Sequence, residues 1–366
     1  MASNGIIGVV LLAAVGFISL IPQLGGKPTQ TERQAYAKSG HYNEKESEFV
    51  NLIPTKSLTG GSAAVMWTFF FHKNPGATPP GPLPTRVLDS LAITRKTPEM
   101  VRVTWFGHSA SLVEIAGQNI LLDPMLSIEM GPVGWATPRR YNRTLAIAPE
   151  KLPPIAAVLI SHDHYDHLDY ATIRKIKDKV GHFYVPLGIG PHLRRWGVPA
   201  ARIVEMNWGD SAKLPGLVLR CTPSRHFSGR GLGNRNSTLW CSWVMQTLAK
   251  RVFYTGDGGY GPHFAAIGQQ FGPFDLALVE CGQYNDSWAD IHMRPEQSVQ
   301  AARDVRAAVM LPVHWGAFTE SLHAWNEPVT RATTEAARLG QVLTTPHLGE
   351  PVTLGTALPQ ERWWEK

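Results

Sequence analysis

The segment ISHDHYDHLDY, residues 160–170, places three histidines and three aspartates within eleven positions. Crowding so many ionisable side chains without an ion between them would be costly, because each of them loses hydration. The apolar run IAAVLIS leads into this segment and predicts a buried strand. Apolar residues then recur at helical spacing from Tyr170 to Val180, which predicts a helix starting near Asp169. The chain is therefore expected to fold around a polar turn between a strand and a helix.

The residue types in this turn are those that hold divalent metal ions. Imidazole and carboxylate groups are common ligands of zinc and similar ions. In a tight turn the alternate side chains of His162 and His164 point one way, whereas Asp166 and His167 reach a second position nearby. Four ligands are too many for one site that must keep an open position. The turn therefore predicts two metal ions, with further ligands supplied from elsewhere in the chain.

Three other positions at the ends of expected strands carry suitable ligands. His226 ends the segment CTPSRH, Asp257 ends FYTGD, and His314 lies in LPVHWG. A single histidine at a strand end more often has a structural role. Three strand ends with the right residue types, following a turn with four ligands, favour metal ligation instead.

The remainder of the chain alternates short apolar runs with helical patterns. Strands are expected at VRVTWFG, SLVEIAG, NILLDP, IAAVLIS, LVLRCTP, TLWCSWVM, KRVFYTGD, DLALVEC and AAVMLPVHW. A turn is expected at Gly117-Gln118-Asn119, and helices near 172–180, 263–270 and 296–307. This mixture predicts a layered α/β protein.

Composition excludes some classes of function. The net charge of +6 favours contact with anionic surfaces or substrates, with a basic solvated face as the alternative interpretation. No compact Lys/Arg run indicates a nucleic-acid partner. The three cysteines, Cys221, Cys241 and Cys281, are too scattered for a disulfide framework or a cysteine-rich metal site.

The N-terminus differs in kind from the rest of the chain. Residues 5–24, GIIGVVLLAAVGFISLIPQL, contain no charge across twenty positions, which is about the length that a helix needs to cross a bilayer. A signal peptide is the alternative, but the basic start and small-residue cleavage site are missing. We expect residues 1–25 to be a membrane anchor, holding the protein at the bacterial inner membrane. Lys27, Arg33 and Lys38 favour a cytoplasmic body but leave the side of the membrane open.

The sequence predicts an N-terminal arm over residues 26–98 and a hydrolase domain over residues 99–366. The arm carries the aromatic strip Trp67, Phe69, Phe70 and Phe71. Packing of this strip on the core and a lipid-facing lip beside the substrate entrance are the two interpretations left open.

The motifs as a set resemble the metallo-β-lactamase superfamily. The segments VTWFGHSASLVEI, LLDP, LPPIAAVLISHDHYDHLDY, TPSRHF, TGDGGYGPHFAAIGQQFGPFDLALV and HMRPEQSV are similar to its branch containing N-acylphosphatidylethanolamine-hydrolysing phospholipase D and bacterial relatives. The resemblance implies an αββα sandwich with the metals at one edge. It also implies one zinc ion held by His162, His164 and His226, a second held by Asp166, His167 and His314, and Asp257 bridging both.

A zinc-dependent phosphodiesterase of the phospholipase D type is the function that this resemblance implies. His292, in IHMRPEQ, is expected to bind substrate or donate a proton, and Arg225 is expected to meet an anionic substrate, with an ordinary salt bridge as its alternative. His108 is expected to be structural. A lactonase or other carbonyl-ester hydrolase, and a non-enzymatic binding protein, are the other functional classes. Iron or manganese in place of zinc, and an oligomeric state, are left open.

Overall fold

A computed structural model describes residues 21–58, 74–94, 97–132, 137–231 and 233–366. Two sheets of seven strands dominate it. The first sheet has the strand order β16-β3-β4-β5-β6-β7-β8. Its strands are β3 (Arg102–Trp105), β4 (Ser111–Ile115), β5 (Gln118–Leu122), β6 (Ile155–Leu159), β7 (Val180–Pro186), β8 (Ile203–Met206) and β16 (Pro351–Thr353).

The second sheet has the strand order β15-β14-β13-β12-β11-β10-β9. Its strands are β9 (Ser211–Leu214), β10 (Leu217–Thr222), β11 (Ser242–Gln246), β12 (Arg251–Tyr254), β13 (Phe274–Glu280), β14 (Ala307–Val313) and β15 (Val342–Leu343). Each sheet joins antiparallel and parallel pairs. The strands β5, β6 and β7 run parallel in the first sheet, and β12, β13 and β14 run parallel in the second.

Helices cover the outer faces of both sheets. The described helices are α1 (Gln30–Tyr36), α2 (Ser90–Thr94), α3 (Tyr170–Ile176), α4 (Gly190–Arg195), α5 (His263–Phe271), α6 (Pro295–Asp304) and α7 (Glu327–Leu339). The apolar faces of α3 and α4 pack on the first sheet, and those of α5, α6 and α7 pack on the second. A central core lies between the sheets. Strand β4 shows how the layers arise, because Val113 points into the central core and Leu112 into the helix-covered face. The expected αββα sandwich is confirmed.

The connection between β4 and β5 is one residue tighter than expected. Ile115 pairs with Gln118, so the turn consists of Ala116 and Gly117 alone. Both have positive φ, at 52° and 69°, which is the backbone twist that a two-residue hairpin requires. The turn expected at Gly117-Gln118-Asn119 is therefore wrong by one residue, and Gln118 already belongs to β5.

The strand expected from TLWCSWVM begins later than the sequence indicates. Regular pairing of β11 with β10 starts at Ser242. Before it, the backbone N–H of Leu239 donates to Leu187 O at 2.8 Å and that of Cys241 donates to Ser161 O at 2.9 Å. These residues therefore bond to loops of the first sheet, and the apolar pattern alone did not distinguish the two partners.

The described part of the arm packs against the sandwich. It contains α1 and a short hairpin of β1 (Tyr42–Asn43) and β2 (Glu48–Phe49). Tyr36 and Phe49 are buried in the central core. Within the described residues no helix has the length and apolar character needed to cross a membrane. Residues 1–20 and the aromatic strip lie outside the described residues, so both expectations about them stay predictions.

Candidate metal centre

The loop that follows β6 supplies most of the site. It runs from the end of this strand to the start of α3, where Asp169 caps the helix and accepts hydrogen bonds from the backbone N–H groups of Ala171 and Thr172, both at 3.1 Å. This cap is the arrangement that satisfies free N–H groups at a helix start. The expected strand–turn–helix is confirmed, and the turn holds His162, His164, Asp166 and His167 at the edge between the two sheets.

Three imidazoles form the first ligand group. His162 Nε2 lies 2.9 Å from His164 Nδ1, which lies 3.3 Å from His226 Nε2. His226 follows β10, and its Nδ1 lies 3.0 Å from Ile291 O. Donation of the Nδ1 proton to this carbonyl leaves the Nε2 lone pair facing the other two rings. The three nitrogens therefore converge as expected for one ion.

A second ligand group adjoins the first. One carboxylate oxygen of Asp166, Oδ2, lies 3.0 Å from His167 Nε2 and 2.8 Å from His108 Nε2. His314 belongs to the same group, since its ligand atom lies within 4.8 Å of the others. The structure thus brings together Asp166, His167 and His314 and adds His108 to them.

Asp257 lies between the two groups. Its Oδ2 is 3.0 Å from His167 Nε2, 3.2 Å from His314 Nε2 and 4.0 Å from His162 Nε2. The Oδ1 atom of Asp257 is buried and has no hydrogen-bond partner among the described residues. A carboxylate that reaches both groups in this way is suited to bridging two cations.

Asp123, at the end of β5, supports the ligands from behind. Its carboxylate accepts hydrogen bonds from Ser161 N at 2.7 Å and Tyr254 Oη at 2.5 Å, and its Oδ2 lies 2.7 Å from His167 Nδ1. Such a contact fixes the ring orientation and tautomer of a ligating histidine. The proton on His167 Nδ1 leaves Nε2 directed at Asp166 and Asp257.

Three residues in or beside the second ligand group have strained backbone conformations. Asp123, His108 and His314 have φ values of 35°, 54° and 67°, a region that residues other than glycine seldom occupy. Two backbone hydrogen bonds restrain the last two, from His108 N to Trp315 O at 2.8 Å and from His314 N to His108 O at 2.9 Å. Strained non-glycine residues gather at functional sites when the surrounding structure compels them.

Burial sets the protonation of the first group and of His314. It lowers the pKa of His162, His226 and His314 well below the ordinary value, with neighbouring imidazoles adding to the effect. These side chains are therefore neutral at pH 7, which is the form that ligates metals. Burial also raises the pKa of Asp257 to about 7 in the protein without an ion, although His167 opposes this. A metal cation beside the Asp257 carboxylate would stabilise its ionised form and lower this pKa again.

His292 lies between the two ligand groups. Its ring stacks on that of His314 with centroids 5.3 Å apart, and it meets the His226 ring edge-on at 5.1 Å. Its Nδ1 lies 3.0 Å from a carboxylate oxygen of Glu280, which is fully buried and also accepts from Met293 N at 2.6 Å. The Glu280 contact engages Nδ1 and leaves Nε2 as the ring nitrogen for other partners.

Arg225 has a structural environment. Its guanidinium pairs with Asp290 at 3.0 Å, and its N–H groups also donate to Pro54 O, Tyr260 O and the Thr55 hydroxyl at 3.0 to 3.2 Å. The salt bridge, which was the alternative interpretation, is therefore present. These contacts join the arm to the loop carrying His226.

Sequence reasoning missed three side chains of the site: Asp123, Glu280 and Glu320. The expectation that His108 is structural stays a prediction, and its ring contacts Asp166. Glu320 lies 3.9 Å from His108, and its Oε1 is buried without a hydrogen-bond partner among the described residues. A signal did exist for Asp123 and Glu280, because each stands where a buried apolar strand ends.

The chemistry of this donor set fits metal ions. His167 Nε2, His314 Nε2 and Asp257 Oδ1 are all buried without hydrogen-bond partners among the described residues. A buried polar atom without a hydrogen-bond partner is costly. Three such atoms at one point therefore indicate that a bound ion satisfies them. The ligand atoms form four overlapping groups, each within 4.8 Å of one another, and two of these groups contain the expected ligand sets. The other two contain Asp257, one of them with Glu280, His292 and His314.

The fold and the site define a metal-dependent hydrolase of the metallo-β-lactamase type. The profile of the beta-lactamase superfamily domain matches residues 118–315. The chain belongs to the metallo-β-lactamase superfamily. Metallo-hydrolases are found among its relatives and its structural neighbours.

Three similar proteins illustrate this relationship. An uncharacterised protein of Mycobacterium tuberculosis is 40% identical over 329 residues, which are 88% of this chain and 87% of the relative. N-acyl-phosphatidylethanolamine-hydrolyzing phospholipase D 1 of Caenorhabditis elegans is 32% identical over 227 residues, 59% of this chain and 64% of the enzyme. The solved structure of Igni18, a metallo hydrolase from Ignicoccus hospitalis, matches with a TM-score of 0.53 and 25% identity, covering 70% of this chain and 100% of that one.

Proposed function

We propose that the protein is a dinuclear zinc phosphodiesterase that cleaves an N-acylphosphatidylethanolamine-like phospholipid in the manner of a phospholipase D. The observation that carries the proposal is the position of Asp257 Oδ2, within 3.0 to 4.0 Å of nitrogens from both ligand groups. The phospholipid substrate is supported by the name of the Caenorhabditis elegans relative. Membrane attachment through residues 1–25 is part of the same proposal.

His162, His164 and His226 would hold one zinc ion, and Asp166, His167 and His314 the other, with Asp257 shared. Zinc ions in such a pair lower the pKa of water and stabilise negative charge on the oxygens of the reacting group. The protein's share is to fix the ligands, through Asp123 behind His167 and the Ile291 carbonyl behind His226. Fixed ligands need no reorganisation when charge develops in the transition state.

His292 is the group we assign to the departing alcohol. In hydrolysis of the diester, a water oxygen joins phosphorus, the phosphorus–oxygen bond to the N-acylethanolamine breaks, and that oxygen takes up a proton. With Nδ1 engaged by Glu280, the Nε2–H of His292 faces the space between the ligand groups; it can donate to a phosphate oxygen or deliver this proton, and the attacking water supplies the proton that replaces it. Glu280 keeps the opposite nitrogen occupied.

Substrate preference and metal content test the proposal together. Purified protein should contain about two zinc equivalents per chain and should hydrolyse N-acylphosphatidylethanolamine and a bis-aryl phosphodiester faster than a lactone. Asp257→Asn should reduce diester hydrolysis by about 10²-fold or more with the fold intact, since a charge between two cations is lost. Turnover of lactones but not of phosphodiesters would establish the carbonyl hydrolase in its place, and less than about half a metal equivalent would refute the dinuclear site.

A further inference from the structure

A basic cleft lies beside the metal centre, between the arm and the loop around residues 229–237. The cleft encloses about 730 Å³. Charged side chains line it on both walls: Lys27, Arg33, Arg195, Arg235, Glu46 and Glu48. Four cations thus face two carboxylates, and Glu48 is engaged by the Asn236 side-chain amide at 3.2 Å.

Three of these cations have no charge partner in the described part of the chain. No carboxylate there lies within ion-pair distance of Lys27, Arg33 or Arg235. All three side chains are exposed. Like charges gathered in one concave surface raise the local positive potential and attract an anion. The cleft therefore has the charge of an anion-binding surface.

The position of the cleft indicates which kind of anion binds there. Leu24, the last residue of the uncharged stretch, and Gly25 are among the residues that line it. If the part of the uncharged stretch that precedes Ile21 lies in the bilayer, the cleft lies near the level of the lipid headgroups, because only a few residues separate Ile21 from Lys27. Basic residues next to a membrane segment favour anionic lipids by about 1 kcal/mol, or about fivefold in affinity, for each charge.

The cleft is also connected to the catalytic region. The Arg235 guanidinium lies over the Phe227 ring at 4.6 Å, and the Phe227 ring packs edge-on against the His164 ring at 4.4 Å. A headgroup bound in the cleft would therefore lie two side chains away from a metal ligand. Its occupation would bring the entrance of the site to the membrane surface.

We infer that this cleft binds the phosphate headgroup of an anionic membrane phospholipid that is distinct from the substrate. The inference rests on the proposed function only for attachment to the membrane. It does not require that the protein hydrolyse a phosphodiester. A binding measurement without turnover can therefore fail separately from the proposed activity.

The test is a titration of the full chain in dodecyl maltoside micelles. Dihexanoyl phosphatidylglycerol should bind about 10²-fold more tightly than dihexanoyl phosphatidylcholine at low salt, since three cations each contribute about fivefold. Added salt should reduce this preference. Lys27→Gln, Arg33→Gln and Arg235→Gln combined should abolish it. A matched variant, Arg143→Gln with Lys151→Gln and Lys213→Gln, removes three exposed cations that do not line the cleft and should retain it.

Two further probes separate lipid from other anions. Inorganic phosphate and poly-L-glutamate should bind at least about tenfold more weakly than phosphatidylglycerol, because they do not combine a phosphate with an apolar tail. Equal binding of either probe would overturn the lipid assignment. So would retained preference in the cleft variant, or an equal loss in the matched variant. If the triple variant does not fold, Lys27→Gln alone should still weaken phosphatidylglycerol binding by about fivefold, and an unchanged affinity would refute the inference.

Discussion

At the scale of single residues, Glu280 changes what His292 can do. A neutral imidazole has one protonated nitrogen, and the second nitrogen is free to accept a proton or to bind. Burial lowers the pKa of His292 and raises that of Glu280 well above its ordinary range. The neutral carboxyl group of Glu280, 3.0 Å from Nδ1, therefore donates to Nδ1, and the ring proton lies on Nε2. Glu280 is thus a positioning residue that acts through His292.

A double-mutant cycle tests this pairing. Glu280→Gln and His292→Gln should each reduce kcat on a soluble diester by about 10- to 10²-fold with little change in KM, since the loss concerns proton delivery. The double variant should be no slower than the slower single variant, because both changes remove one function. Multiplying losses in the double variant would show that the residues act independently, and a loss of bound metal in Glu280→Gln would show a structural role.

His263 gives stability a pH dependence that is separate from the metal ligands. Burial, with Arg225 adding to it, lowers the pKa of His263 from 6.5 to about 4. Protonation therefore favours the unfolded chain, and stability is full above the unfolded pKa and is lost as the pH falls towards the folded one. Between about pH 7 and pH 5 this residue should cost about 2 kcal/mol.

Denaturant titrations at both pH values measure this contribution. His263→Phe retains an aromatic ring beside a cavity of about 210 Å³ but cannot be protonated. The loss of unfolding free energy on acidification should be smaller in the variant than in the wild type by about 2 kcal/mol. Equal losses in the two proteins would mean that His263 is charged in the folded state.

At the scale of elements, the strands that end at a ligand were predictable, but their partners were not, and the strands β7, β8, β9, β15 and β16 were not expected. The ends of β6, β10, β12 and β14 could be read from apolar runs that stop at a ligand, and all four lie at the site. The contacts of His108 with Asp166 and of Asp123 with His167 cross from one strand end to another. Such contacts depend on how the chain folds in three dimensions, so a pattern along the chain does not reveal them.

The turn that places Asp257 depends on a glycine. Gly256 has a φ of 58°, and a Cβ there would lie 2.6 Å from Ser161 Cβ and 2.7 Å from Cys241 O. Gly256→Ala should lower stability by several kcal/mol and displace Asp257, with loss of metal and activity. Gly340 is the matched control, because its φ of 66° is similar but open space surrounds it.

Comparing Gly256→Ala with Gly340→Ala separates the effect of the steric clash at residue 256 from that of the backbone strain. Gly340→Ala should cost only about 1 to 2 kcal/mol, the strain of a left-handed residue with a side chain, and should leave metal content unchanged. Thermal unfolding and elemental analysis of the two variants measure both effects. Similar losses at the two positions would mean that the close packing around Gly256 does not position the carboxylate.

At the scale of the whole molecule, residues 22–25 are hydrogen-bonded to the body of the protein beside the turn that carries His162 and His167. Three carbonyl oxygens accept hydrogen bonds from the body: Pro22 O from Trp196 Nε1 at 2.7 Å, Gln23 O from Arg230 Nε at 2.8 Å and Gly25 O from Arg195 Nη1 at 2.9 Å. The buried Arg230 also donates to the carbonyl oxygens of Asp163 and Leu168, at 2.5 and 2.8 Å. One guanidinium therefore joins the chain entering the domain to the ligand turn.

Two truncated chains separate the anchor from these hydrogen bonds. Chains starting at Ile21 and at Lys27 both lack residues 1–20, so neither keeps an apolar stretch long enough to span a bilayer, and both should leave membranes after a wash at about 1 M salt, which screens surface charges. Only the chain from Ile21 keeps the carbonyl acceptors, and it should retain metal content and hydrolysis of a soluble diester.

The chain from Lys27 leaves Arg230 without the Gln23 acceptor, a loss of about 1–3 kcal/mol, and should melt several degrees lower with weaker metal binding. Equal melting temperatures would show that the hydrogen bonds of residues 22–25 do not support the ligand turn, and a chain from Ile21 that stays with washed membranes would show that residues 1–20 are not the anchor.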